Sequence, residues 1–142
     1  MHDHRQRFAG ARVARLATAG ADGRPHLVPV VFAVVGDVVW SAVDAKPKST
    51  RALKRLANIT AQPHVSLLVD HYDEDWARLG WVRADGTAEV LGLGASGTAG
   101  ALDALTAKYP QYALQPPAGP FVRVAVTRWS GWSATGGTVH DV

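Results

Sequence analysis

The chain has 142 residues, which is enough for one domain with a sizeable core and too few for two, so we expect a single domain over residues 1–142. Hydrophobic residues make up 47% and charged residues 19%, a globular balance, and no apolar run reaches the roughly 18 residues that a membrane span needs. The absence of cysteine excludes disulfides and thiolate chemistry, while a net charge of +3 favours an anionic partner and is too small to indicate nucleic acid.

The amino terminus, MHDHRQRFAGAR, is polar and lacks the apolar core of a secretory signal. We therefore expect a cytoplasmic protein. The segment is expected to be mobile, so the spacing of His2 and His4 carries no metal-site prediction.

Three β-rich runs follow, over 12–18, 26–34 and 38–43. The first two flank Asp22-Gly23, which is typical of a hairpin turn, and the last two flank Gly36-Asp37. These turns predict an antiparallel meander of three strands.

The pattern changes after Pro47, where Ser49 or Thr50 can cap a helix that ends near Ile59-Thr60. Helical spacing predicts an apolar face and a solvent face. The apolar face holds Leu53, Leu56 and Ala57, and the solvent face holds Arg51, Lys54, Arg55 and Asn58.

The rest of the chain predicts a buried strand over 65–72, an extended run over 79–91, a helix over 98–109 and a half-buried strand over 121–133. Tight turns join most strands, which argues against parallel crossovers. We expect a mainly β (α+β) fold: six antiparallel strands in a small barrel with short flanking helices.

A literal G-x-G-x-x-G stands at Gly92, Gly94 and Gly97, between a predicted strand and a predicted helix. A dinucleotide site also needs parallel strands and an acidic residue about 20 positions further on. That region reads ALQPPAG, so we interpret the glycines as a loop.

The segment SAVDAKPKSTRALKRL, residues 41–56, holds five basic side chains against Asp44. A helix amino terminus offers free N–H groups and a positive dipole end to an anion. Lys46, Lys48, Ser49, Thr50 and Arg51 could surround that point, which predicts a phosphate site, and the alternative is a solvated basic helix face.

Other motifs are weaker. We interpret DHYDEDW, residues 70–76, as an exposed loop and not a metal site, and we expect Trp81, Trp129 and Trp132 to pack in strands. No catalytic triad, zinc motif or carboxylate pair is apparent, so any chemistry would belong to a bound cofactor.

Three blocks together resemble a known family: LATAGADGRPHLVPVVFAV, VDAKPKSTRALKRLANI and VSLLVDHYDEDWARLGWVRADGTAEV. They are similar to the pyridoxamine 5'-phosphate oxidase-like split β-barrel (FMN-binding split barrel) proteins. Within these they resemble the flavin/deazaflavin oxidoreductases of actinobacteria, subgroup B, which use coenzyme F420. The likeness covers residues 8–91, whereas the last third matches only in general pattern and lacks the arginine-rich substrate segment of the oxidases.

The resemblance implies a homodimer with two cofactor sites at the subunit interface, each built from both chains. The second strand would lie along the tricyclic ring, the third strand beside the ribityl chain, and the basic segment at the phosphate. The implied cofactor-binding residues are Pro29, Val30 and Val31 at the ring, Ser41, Ala42 and Val43 at the ribityl chain, Lys46, Lys48, Ser49, Thr50 and Arg51 at the phosphate, and Trp76 and Trp81 of the other subunit at the pocket wall.

Coenzyme F420 carries a phosphodiester and an oligoglutamate tail, so a long basic segment favours it over FMN, which has one terminal phosphate. The resemblance then implies an oxidoreductase that moves a hydride from reduced F420 to a small unsaturated or conjugated acceptor. The alternatives are an FMN flavoprotein and a non-catalytic F420-binding or storage protein. We expect no nucleic-acid or membrane partner, since the aromatic residues are not interleaved with the basic segment.

Overall fold

The structure is a computed structural model that describes residues 3–43 and 50–139, with the backbone alone for 50–53 and 137–139. Four α-helices and eight β-strands are present in this part of the chain. In chain order they are α1 (His4–Ala9), β1 (Ala14–Ala19), β2 (Pro25–Val30), β3 (Ala33–Val35), β4 (Val38–Ala42), α2 (Thr50–Ala61), β5 (His64–His71), β6 (Gly80–Leu91), α3 (Thr98–Lys108), α4 (Pro110–Leu114), β7 (Phe121–Ser133) and β8 (Gly137–Val139), with a 3-10 turn at Trp76–Arg78.

The strands form one sheet in the order β2-β1-β5-β6-β7-β4-β3, with β8 paired to β7, and every described pair is antiparallel. Strands β2 and β3 end this path on opposite sides, yet only Val31 and Phe32 separate them in sequence. A two-residue link cannot cross a flat seven-strand sheet, because neighbouring strands lie about 4.8 Å apart. The sheet therefore curls until its two edges approach, which confirms the predicted mainly β split barrel with short flanking helices.

The predicted three-strand meander is wrong. The run 26–34 is broken at Val31 and Phe32, so that β2 pairs with β1 and β3 pairs with β4 at the other end of the sheet. The break has a physical cause: Phe32 is fully buried, and the Tyr109 hydroxyl bonds both its N–H and its carbonyl oxygen. This division and the terminal strand β8 account for eight strands where we expected six.

The main core fills the barrel interior, and α1 packs against it. The Phe8 ring lies 4.9 Å from the Phe32 ring and 5.4 Å from the Trp129 ring, measured between centroids. His4 is only 3% exposed. The expectation of a mobile terminus is therefore wrong for α1, because Phe8 packs this helix against the core.

A second apolar cluster joins α3 and α4 to β3, β4 and β7. Gly97 precedes α3 with φ at +87°, and a methyl group there would lie 3.0 Å from the Trp40 ring. Glycine suits this position because it adopts positive φ readily and leaves room for the indole. The G-x-G-x-x-G segment thus lies in the loop between β6 and α3, as we interpreted it.

Helix α2 packs on β1 and β6, and its predicted apolar face is confirmed in part, because Leu56 packs against the core. Asn58 and Ile59 are buried, Ala57 is exposed, and Asn58 Nδ2 donates to Thr18 Oγ1 at 3.2 Å. The placement of Asn58 on the solvent face is therefore wrong, because a buried hydrogen-bond partner on β1 compensates its amide. No described helix has the length and apolar character needed to cross a lipid bilayer.

Candidate functional site

Strand β2 forms one edge of the sheet and pairs only with β1 among the described strands. Along it Pro29 is exposed, Val30 is buried at 7% exposure, and the following Val31 is half-buried. Of these three residues, Pro29 and Val31 therefore present side chains outward, while the outer edge of the β2 backbone has no partner strand in the described chain. An unpaired edge of this kind offers backbone donors and acceptors to a ligand.

The end of β4 is covered within the chain. Ser41, Ala42 and Val43 are all less than 9% exposed. Strand alternation puts Ser41 and Val43 on the same face as Val39 in the barrel core, and Ala42 on the α3 side. The Val43 N–H donates to the Pro120 carbonyl oxygen at 2.9 Å, so that N–H is already used within the chain.

Most of the predicted phosphate-binding residues fall outside the described side chains. Lys46, Lys48 and Ser49 lie outside the described residues, and Thr50 and Arg51 begin α2 with only their backbone described. The structure gives the position of the helix: α2, twelve residues long, begins at Thr50, inside the basic stretch 41–56. Its amino terminus carries the N–H groups and dipole end on which the phosphate prediction depends.

Arg55 is a residue that the sequence analysis assigned to solvent. Its side chain is half-buried, and its Nε atom is buried without a hydrogen-bond partner among the described residues. Burial lowers the pKa of the Arg55 guanidinium. Helical spacing could have indicated that Arg55 accompanies Arg51, because the two residues stand one turn apart on the same side of α2.

The two tryptophans predicted at a pocket wall differ in exposure. Trp76, in the 3-10 turn, is 67% exposed, and its Nε1 donates to the Tyr72 hydroxyl at 3.4 Å. Trp81, near the start of β6, is half-buried, and the Arg83 guanidinium lies 5.7 Å from its ring centre. Both stand at or beside the β5–β6 connection.

The segment 70–76 is exposed apart from the half-buried Asp73, as expected, although Asp70 and His71 belong to β5 and only the remainder is a loop. Its Asp73 carboxylate lies 3.9 Å from His71 Nε2 and 3.7 Å from Arg78 Nε. Across residues 3–43 and 50–139, no three His, Asp or Glu side chains come together as a metal site.

A groove of about 460 Å³ lies between the segment that joins α1 to β1 and the facing ends of β5 and β6. We call it the basic groove, because three arginines line it. Among its lining residues, only Trp81 is a predicted site residue. Its lining residues are Arg7, Gly10, Ala11, Arg12, Val13, Arg15, Val69, Asp70, His71, Gly80, Trp81 and Val82.

The chain shares this fold with solved proteins of low sequence identity. A FAD-binding protein from Mesorhizobium loti matches with a TM-score of 0.68 at 23% identity over 89% of each chain. A conserved hypothetical protein from Mycobacterium tuberculosis matches with a TM-score of 0.71 at 24% identity, over 94% of this chain and 86% of that one. HutZ, the haem storage protein from Vibrio cholerae, matches with a TM-score of 0.64 at 14% identity, over 87% and 83%.

No protein with a curated description matches this chain. The family model described as pyridoxamine 5'-phosphate oxidase matches residues 1–133, which is nearly all of the described barrel. By fold and by family sequence pattern, this chain belongs to the pyridoxamine 5'-phosphate oxidase family.

Proposed function

We propose that this protein is an oxidoreductase that binds coenzyme F420 and passes a hydride from the reduced deazaflavin to a small unsaturated or conjugated acceptor. The observation that carries the proposal is that α2 begins at Thr50, immediately after a segment rich in lysine. A helix amino terminus following two lysines and a serine is suited to a phosphodiester and to the carboxylates beyond it. Within the family, the proposal assigns the chain to the deazaflavin-using subgroup B of actinobacteria.

The edge strand β2 supports the placement of the ring. A flat tricyclic ring could lie along its unpaired outer edge, with Pro29 and Val31 as apolar contacts and the backbone as hydrogen-bond partner. The phosphate arm would then extend toward α2, where Lys46, Lys48 and Arg51 supply charge. The buried Nε of Arg55, which has no hydrogen-bond partner among the described residues, adds a further donor on that helix.

A homodimer is the proposed assembly. The outer sheet face carries exposed apolar side chains, with Leu27 at 66% and Leu68 at 37% exposure. The register puts Pro29 and Leu68 on either side of Arg15, so these residues share one face. Apolar side chains gathered on one face are typical of an interface. Sedimentation should give a dimer that Leu27→Asp with Leu68→Asp converts to a monomer; a wild-type monomer would contradict the assembly.

Reduced F420, when bound, supplies the hydride. The chain's part is to hold the ring against β2, to anchor the charged tail, and to keep water from the reacting face. The FAD-binding structural neighbour supports a flavin-type cofactor in this fold, and the basic segment favours the more highly charged F420.

Fluorescence titration with F420 and with FMN tests the cofactor. We expect F420 to bind more tightly, with an affinity that falls steeply with salt because its tail is polyanionic. Preferential tight binding of FMN would replace the proposal with an FMN flavoprotein.

Stopped-flow oxidation of protein-bound reduced F420 tests catalysis. The acceptors would be a panel of enones and quinones, each compared with free reduced F420 at the same concentration. Acceleration by the protein supports an oxidoreductase. Binding without acceleration by any acceptor would favour a cofactor-storage protein, a role for which the haem storage neighbour is a precedent in this fold.

A further inference from the structure

The basic groove carries an excess of positive charge. Its lining includes Arg7, Arg12 and Arg15, and Asp70 is the one carboxylate among the described lining residues. The Arg12 guanidinium lies over the Tyr109 ring, 4.7 Å from its centre. Arg15 Nη1 lies 3.5 Å from an Asp70 oxygen, and the two side chains are 51% and 52% exposed. A pair so exposed is weak, so Asp70 offsets only part of the arginine charge. The groove therefore attracts an anion.

The arginines retain hydrogen-bonding capacity for a ligand. Arg12 Nη2 donates to the Lys108 carbonyl oxygen at 2.9 Å, and Arg7 Nη2 reaches the Trp132 carbonyl oxygen at 3.5 Å, the outer limit of a bond. Each guanidinium has five N–H donors, so these single bonds leave several for another partner. The planar fork of a guanidinium matches a carboxylate in a bidentate pair.

One wall of the groove is aromatic and apolar. Trp81 and the 39% exposed Val13 contribute to it. Gly80, next to Trp81, leaves the space that Arg7 occupies, because a methyl group there would lie 2.9 Å from Arg7 Nη2. A planar ring could therefore contact the indole while its acidic group faces the guanidiniums.

We propose that the basic groove binds a small organic anion with a planar ring, of the aromatic or conjugated carboxylate class. The carboxylate pairs with Arg7 and Arg15, and the ring packs against Trp81. The site uses no residue of the cofactor segment at 46–51. Trp81 is also implied at the wall of the cofactor pocket, and Arg15 lies on the face of the proposed dimer. The groove is separated from both if Arg15→Gln weakens binding of the small anion while F420 binding and the oligomeric state stay unchanged.

Isothermal titration calorimetry of the purified, cofactor-free protein tests the groove with 2-naphthoate as the probe. We expect 2-naphthoate to bind at least about tenfold more tightly than 2-naphthamide, which lacks the charge, and than cyclohexanecarboxylate, which lacks the flat ring. Equal affinity for the acid and the amide, or no binding of 2-naphthoate, would overturn the proposal.

Variants that change the charge of the groove test where 2-naphthoate binds, because loss of a positive charge and loss of a negative charge should change its affinity in opposite directions. Arg15→Gln should weaken 2-naphthoate binding about fivefold, whereas Asp70→Asn should tighten it about threefold because it removes a competing carboxylate. The matched control is Arg24→Gln, an exposed arginine at the other end of the same hairpin, which should change little. Equal losses in Arg15→Gln and Arg24→Gln, or loss in Lys48→Ala alone, would contradict the groove.

Discussion

The Tyr109 hydroxyl bonds both backbone groups of Phe32. Its oxygen accepts from the Phe32 N–H at 3.1 Å, and its proton faces the carbonyl oxygens of Phe32 and Arg12 at 3.1 and 2.9 Å. One side chain from the end of α3 thus satisfies the bend between β2 and β3. That bend separates the edge strand β2, proposed to hold the cofactor ring, from the rest of the barrel.

Tyr109→Phe should lower the free energy of unfolding by about 1–3 kcal/mol, because it leaves the buried backbone groups of Phe32 without a partner. Urea denaturation measures the change. Tyr112→Phe is the control, since the Tyr112 ring packs beside Tyr109 without being the donor to Phe32. Equal losses in the two variants would mean that the bend does not depend on the Tyr109 hydroxyl.

The pH dependence of stability should contain a contribution from Lys108. Its ammonium lies 3.8 Å from the Phe32 ring centre, and burial, with the nearby charge of Arg12 second, lowers its pKa from 10.5 to about 8. Between these values the unfolded chain binds more protons than the folded one, so stability rises as the pH rises through this window.

Lys108→Met should remove the contribution of Lys108 to this rise of stability with pH. Thermal unfolding of both proteins between pH 7 and 9 measures it, below the range in which the raised pKa of Tyr109 acts in the opposite direction. The same slope with pH in the wild type and in Lys108→Met would show that Lys108 titrates normally.

Gly86→Ala should destabilise the barrel by more than about 3 kcal/mol. Gly86 stands at the register shift between β6 and β7, where an added methyl group would overlap the Ala125 carbonyl oxygen. Gly92→Ala is the matched control, because no atom lies within 4 Å of its added methyl group. Chemical denaturation that gives similar midpoints for the two variants would disprove the close contact.

Asn58 and Thr18 should be energetically coupled. Both are buried, at 5% and 3% exposure, and they share the hydrogen bond that docks α2 on β1. Asn58→Ala and Thr18→Val should each cost about 1–3 kcal/mol, and the double variant should cost less than their sum. Additive losses in a double-mutant cycle would show that this hydrogen bond does not stabilise the docking of α2 on β1.

Lys48→Ala should weaken F420 binding by about 1.5–3 kcal/mol, the scale of a charge-assisted hydrogen bond. Lys54→Ala is the control, since Lys54 is exposed further along α2 and carries the same charge. Fluorescence titration compares them. Similar losses would indicate attraction by general surface charge in place of a defined phosphate site.

Local pattern alone predicted most elements of this fold. The strand predicted over 121–133 has the same bounds as β7, although Trp129, Ser130 and Gly131 are buried in succession and do not alternate. The helix predicted over 98–109 is α3 to within one residue, because helical spacing reflects which side chains a single element buries. The phosphate site predicted at 46–51 likewise depends on residue type alone. Binding an anion requires positive charge and hydrogen-bond donors, and lysine and hydroxyl side chains supply these wherever the segment lies in the fold.

Tertiary contacts decided which elements pack against each other. The run 26–34 divides at Phe32 because Tyr109, 77 residues later in the chain, takes its backbone hydrogen bonds. Asn58 is buried because Thr18 lies opposite it, and Arg7, Arg15 and Trp81 line one groove because α1 packs beside β6. These partners are remote in sequence, so no local spacing could reveal them; the basic groove exists only in the folded chain.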